Sequence, residues 1–115
     1  LATIVVAMKE SEKRRFPRLP AFSAALITQA GQGWLSEVRD LSQGGARLAR
    51  PQHWQTADDK HYCIYFIFDQ ETVIAVDASC VRENTEDLGF AFEDGQETKV
   101  KDLLYESRFV DQDAP

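Results

Sequence analysis

His61-Tyr62-Cys63-Ile64-Tyr65-Phe66-Ile67-Phe68 is the stretch that decides the fold. It is β-branched and aromatic throughout, so it reads as a strand, and its two apolar faces predict a central, largely buried one. Asp69-Gln70-Glu71 turns it into a long second strand, Thr72 to Arg82. There Ile74, Val76, Ala78 and Cys80 form an apolar face, with Asp77 and Ser79 on the other. Asn84 to Asp87 is a turn, and Leu88-Gly89-Phe90-Ala91-Phe92 a further strand. Asp94 and Glu97 have capping-box spacing, and Val100, Leu103, Leu104 and Ser107 then recur at helical intervals.

Upstream, alternation from Phe22 to Gln29, a turn at Gly31-Gln32-Gly33 and the segment Trp34 to Arg39 predict a hairpin. Asp40-Leu41-Ser42-Gln43-Gly44-Gly45 interrupts the strands. Asp and Ser side chains bond nearby backbone, and paired glycines permit positive φ. Ala46 to Ala49 resumes a short strand, and Pro51 to Lys60 reads as a polar loop that contains Trp54 and a solvated Asp58-Asp59 tip. Six strands joined mostly by short turns, then one helix, predict an all-β dominated fold. The expected form is a six-stranded antiparallel β-barrel with a C-terminal α-helix.

At 115 residues the chain forms one domain, large enough to bury a core. About 65% of the unfolded surface leaves water at this size. The expected domain is 14–110, with tails at 1–13 and 111–115. Met8 is the sole methionine and marks the expected natural start, with 1–7 as an extension before it. No apolar run approaches the ~20 residues of a spanning helix. Cys63 and Cys80 lie among apolar neighbours, which suits buried thiols of a reducing compartment and a cytoplasmic location; a cross-strand disulfide stays open.

Asp and Glu number 19 against 13 Lys and Arg, for a formal net charge of -6. This argues against a nucleic-acid polymer as ligand, because counterion displacement needs a broad positive field. Yet Lys13-Arg14-Arg15-Phe16-Pro17-Arg18 concentrates four cations in six residues. Pro17 and Pro20 forbid a long helix there, so the cations ride an extended arm. Arginine matches phosphate and the guanine edge, and stacks on flat rings. Such an arm on an acidic domain suits a small anionic, and by its arginines aromatic, ligand; the alternative reading of the stretch alone is a solvated polybasic tail.

Catalysis has little support. His61 and Cys63 share a strand face but are too few to hold a metal, and read as a buried polar histidine beside a core thiol. Ser42 has no histidine base at a telling spacing, and neither a P-loop nor a nucleophile elbow occurs. No cofactor is expected.

Arg14 and Arg18 make an R-x-x-x-R pair, and Asp40, Ser42 and Gly45 an Asp-x-Ser-x-x-Gly turn. Their order and spacing, the position of the turn between two strands, and the Leu88–Phe92 strand followed by a helix resemble the PilZ domain family. The likeness covers nearly the whole chain and implies a stand-alone receptor for the bacterial second messenger cyclic di-GMP. On that resemblance, Arg14 and Arg18 grip guanines and phosphates, and Arg15 adds charge. The Asp40 carboxylate accepts the guanine N1 and N2 hydrogens. Ser42 donates to a phosphate or base edge, and Gly44 and Gly45 let backbone approach the ligand. Lys13 occupies a place linked in the family to stoichiometry, and its charge favours an intercalated pair. Cys80 stands where the family often has a large stacking side chain. Ligand would order the arm over the barrel and signal to a downstream protein. The alternative is a PilZ-like adaptor that binds protein and no nucleotide.

Overall fold

The computed structural model describes residues 24–113, with side chains described through residue 107. Six strands precede one helix: β1 (Ala24–Gln29), β2 (Gln32–Leu41), β3 (Gly45–Ala49), β4 (His61–Ile67), β5 (Val73–Glu83), β6 (Asp87–Phe92) and α1 (Glu97–Asp113). The strands close into an antiparallel barrel in the order β1-β2-β3-β6-β5-β4. The expected fold class is the observed one. The expected strand from Phe22 begins outside the described residues.

Alternation fills the interior. Ile27, Leu48, Ile64, Val76 and Leu88 are fully buried, and Phe66 nearly so. Each inward side chain removes apolar surface from water, and each outward neighbour meets solvent. The apolar face expected on β5 is present, with Val76, Ala78 and Cys80 inside. The reading of β4 needs correction. Tyr62, Ile64 and Phe66 are buried, but His61 and Tyr65 are exposed and Cys63 is half-buried. A closed barrel gives every strand an outer face, and α1 packs against β5. His61 and Cys63 therefore lie outside the core. Cys63 faces outward and Cys80 inward, and both are free thiols.

Two connections also differ from expectation. The β1–β2 turn is Ala30-Gly31, with φ of 50° and 81°, so Gly33 is a strand residue opposite Thr28. Two positive φ values in a two-residue loop match the twist of a hairpin. The Pro51–Lys60 loop folds back on the barrel through Trp54, which is buried. Its ring lies 4.9 Å from Trp34 and 5.3 Å from Tyr62. Its indole N–H donates to Glu83 Oε1 at 3.3 Å, and the Thr56 hydroxyl donates to the same oxygen at 2.7 Å. Lys60 Nζ stands 3.6 Å from Glu83 Oε2. At the Asp58-Asp59 tip, Asp59 accepts the His61 backbone N–H at 3.0 Å.

The expected Asp94–Glu97 capping box does not form. Gly95, at φ 84°, turns the chain so that Gln96 precedes the first turn, and Val100 N–H donates to the Gln96 carbonyl at 2.9 Å. The Gln96 side chain instead mimics a strand. Its Oε1 accepts Asp77 N–H at 2.7 Å and its Nε2 donates to Asp77 O at 2.9 Å. Val100 and Leu103 are buried, as their spacing predicts, and Leu104 packs at the margin.

Two outcomes follow for stability. The Thr56 hydrogen bond, helped by Trp54, Lys60 and Arg50, holds the Glu83 carboxyl below its ordinary value against the opposing effect of burial. A depressed carboxyl stabilises fully above its unfolded pKa, and that contribution disappears as pH falls through the lower folded value. Urea denaturation should show Glu83→Gln costing about 1–3 kcal/mol at neutral pH, with a flatter acid limb than the parent. Ala30→Gly should raise stability by about 1 kcal/mol, because an L side chain in the left-handed region costs roughly 1–2 kcal/mol.

Candidate ligand-binding site

The Asp-x-Ser-x-x-Gly segment is less of a loop than its composition suggests. Asp40 is still in β2, opposite Arg47, and Leu41 is opposite Ala46. The turn proper is Ser42 to Gly44. Ser42 closes it, with its N–H on Gly45 O at 2.9 Å and its hydroxyl on the same oxygen at 3.3 Å. Asp40 Oδ1 accepts Leu41 N–H at 3.0 Å. Both Asp40 and Ser42 are exposed.

The glycines have a backbone reason that composition does not reveal. Neither Gly44 nor Gly45 adopts positive φ. A Cβ on Gly45 would stand 2.1 Å from the Phe90 carbonyl oxygen, so β3 can lie against β6 only without a side chain there. Gly44 has open space about its Cα, and its carbonyl accepts Phe92 N–H at 2.9 Å. The turn is thus fastened to β6.

Registry extends this site across four strands. Asp40 is opposite Arg47, Arg47 opposite Gly89, and Gly89 opposite Arg82. Gly89 leaves the row without a side chain between two outward arginines. Arg47 Nη1 is 3.1 Å from Asp87 Oδ2, and Arg82 is exposed. The Asn84 amide, followed by Arg47, holds the Asp87 carboxyl below its ordinary range. Sequence reasoning missed Arg47 and Arg82. The outward parity of Arg47 was readable, but Arg82 shares the parity of inward Val76, Ala78 and Cys80 and faces out only because of the register shift after Cys80. The adjacency of the two arginines depends on the β3–β6 and β5–β6 pairings.

Cys80 is not on this face. It is 7% exposed, and its thiol lies 3.6 Å from Arg82 O. Alternation turns Val81 outward, where it is 64% exposed, and a register shift between Cys80 and Arg82 brings Arg82 outward as well. The outward side chain beside the row is therefore Val81. Beside the turn, a cavity of about 490 Å³ runs between Gln43, Gly44 and Phe92 on one side and Glu97, Val100 and Lys101 of α1 on the other.

Lys13, Arg14, Arg15, Pro17 and Arg18 lie outside the described residues. The chain does join the barrel nearby: β1 begins at Ala24, opposite Glu37 on the strand that carries Asp40. Among the described residues no group of three or more His, Cys, Asp or Glu could hold a metal, and no helix is long and apolar enough to cross a membrane.

The site is thus an exposed polar turn and a charged cross-strand row on the outside of a closed barrel. The chain belongs to the PilZ domain family, whose model matches residues 12–107. PilZ domains are binding or effector domains rather than catalysts, and they generally bind cyclic di-GMP. The fold resembles the crystal structure of the PilZ domain of CeSA from a cellulose-synthesizing bacterium. That likeness has a TM-score of 0.65 and 18% identity, and covers 78% of this chain and 96% of that one. An uncharacterized Legionella protein aligns with a TM-score of 0.49 and 13% identity, over 76% of this chain and 87% of that one. No curated protein matches the chain.

The two motif glycines should separate in mutagenesis. Gly45→Ala should destabilise the barrel by about 1–3 kcal/mol, the usual cost of forcing volume into a packed site. Gly44→Ala, with open space around it, should stay within about 0.5 kcal/mol of the parent in the same urea titration.

Proposed function

We propose that this protein is a cytoplasmic receptor for cyclic di-GMP that acts by binding and not by catalysis. The observation that carries the reading is the exposed Asp40–Ser42 edge, on the strand beside which the chain of the arginine arm enters the barrel. The Asp40 carboxylate accepts the guanine N1 and N2 hydrogens, a pairing that no arginine can make. Arg14 and Arg18 close over the bases and phosphates, with Arg15 and Lys13 as supporting charge. Ser42 donates its hydroxyl. Gly44 and Gly45 keep the turn narrow enough for backbone to approach the ligand.

Arg47 and Arg82 extend the same face. Flanking side-chain-free Gly89, they offer guanidinium forks to phosphate oxygens. Their charge, added to that of Lys13, supports an intercalated pair of ligands over a single one. Ligand orders the arm over the barrel, and a downstream protein reads the altered surface.

Calorimetry on the intact chain at physiological salt tests this. Binding should be abolished in Arg14→Ala and Arg18→Ala. Asp40→Asn should weaken it by about tenfold or more, since a bidentate base contact contributes roughly 1–3 kcal/mol. Arg47→Ala should weaken binding and reduce its salt dependence, as expected for a lost phosphate contact. A stoichiometry of two supports the intercalated pair. No binding by the parent chain would overturn the reading.

A further inference from the structure

The barrel carries a second outer surface, remote in character from the charged row. Strands β2, β1, β4 and β5 are neighbours, and their registers align outward residues. Leu35 is opposite Leu26, Leu26 opposite Tyr65, and Tyr65 opposite Ala75. One step along, Ala24 is opposite Ile67, and Ile67 opposite Val73. Leu35 is 62% exposed, Val73 48% and Tyr65 38%. Scattered apolar side chains on a surface are ordinary, but a contiguous stripe over four strands marks a contact surface.

A groove of about 910 Å³ runs beside this stripe, floored by Leu26, Thr28, Cys63 and Tyr65. Its rim is anionic, with Asp59, Asp77 and Glu93. His61 bridges part of that rim, 3.2 Å from Asp59 and 3.5 Å from Glu93. An apolar floor with a carboxylate rim fits a segment that places an aromatic side chain among cations.

We propose that, without ligand, this groove holds the chain's own segment Lys13–Leu19, with Phe16 on the Leu26–Tyr65 floor and the arginines toward Asp77, Glu93 and Asp59. Three observations select this occupant. The segment Lys-Arg-Arg-Phe-Pro-Arg-Leu supplies the required chemistry in an otherwise acidic chain. It is tethered at the groove, because β1 begins at Ala24 and supplies Leu26 and Thr28. The tether also reaches: residues 19–23 span up to ~3.3–3.6 Å each, enough to double back along β1. Tethering makes the contact intramolecular, at an effective concentration of about millimolar for a short linker.

The consequence rests on the ligand reading above. The arginines cannot occupy the groove and the Asp40 edge together, so docking opposes ligand binding. Apparent affinity falls by the fraction of chains with the arm free.

The test uses the full chain carrying Ser11→Cys and Cys63→Ser, with a nitroxide on position 11; Cys80 is buried and stays unlabelled. Without ligand, amide signals of Leu26, Thr28, Tyr65 and Ala75 should broaden selectively. The broadening should disappear in Arg14→Glu/Arg15→Glu/Arg18→Glu, and at about 1 M salt, where the screening length is ~3 Å. Cyclic di-GMP should move it to the Ser42–Gly45 turn. Uniform or absent broadening without ligand overturns the proposal. So does broadening that appears between a nitroxide-bearing chain and a separate isotope-labelled one, which would assign the groove to a second copy. If groove broadening is present while calorimetry shows no cyclic di-GMP binding, the arm docks as proposed and it is the ligand reading that fails.

Discussion

The barrel depends on the seam where β3 lies against β6. All other strand pairs join neighbours in sequence or close the ring through β1 and β4, but this pair must bring distant segments into near backbone contact. Gly45 makes that possible, because any side chain would collide with the Phe90 carbonyl. From this seam the rest follows in short steps. The Gly44 carbonyl takes Phe92 N–H, which fastens the Ser42 turn to the end of β6. Next along the chain, Glu93 N–H bonds Asp77 O, and Gln96 completes a side-chain ladder on the same residue. The helix is thereby set against β5, and the polar turn and α1 are two ends of one hydrogen-bonded path.

The outside of the barrel divides by charge. Strands β2, β3, β6 and β5 present Asp40, Arg47, Gly89 and Arg82 in one row. Strands β2, β1, β4 and β5 present Leu35, Leu26, Tyr65 and Ala75 in another. The interior has no such division, since a packed core accepts apolar side chains from every strand alike. Bulges at Arg39 and Val81 help to separate the two exteriors. An extra residue bends its strand and changes which side chain faces out, and so Cys80 is inside while Val81 and Arg82 are both outside.

Much of the fold was readable because period-two alternation is a local signal. Ile74, Val76, Ala78 and Cys80 announce the inner face of β5, and Val100 and Leu103 announce the buried stripe of α1. The errors share a cause. Trp54 sits among polar residues, so nothing local indicates that it folds back to Trp34 and Tyr62. Asp94 and Glu97 have capping spacing, yet the amide of Gln96 finds a better partner in Asp77, nineteen positions away. The two-sided apolarity of β4 suggested burial on both faces. A closed barrel leaves one of them outside, where it forms part of the Leu35–Tyr65 stripe.

By itself the sequence determined the strand count, the inward faces, the terminal helix and the Asp-x-Ser-x-x-Gly turn. Each of these is written in residues near one another along the chain. Only the tertiary structure decided that Gly45 serves the β3–β6 seam, that Arg47 and Arg82 flank Gly89 beside Asp40, and that Arg82 turns outward directly after Val81. These depend on strand register, and register is set by the closure of the whole barrel, since a shift of one residue turns every side chain of a strand to the other face.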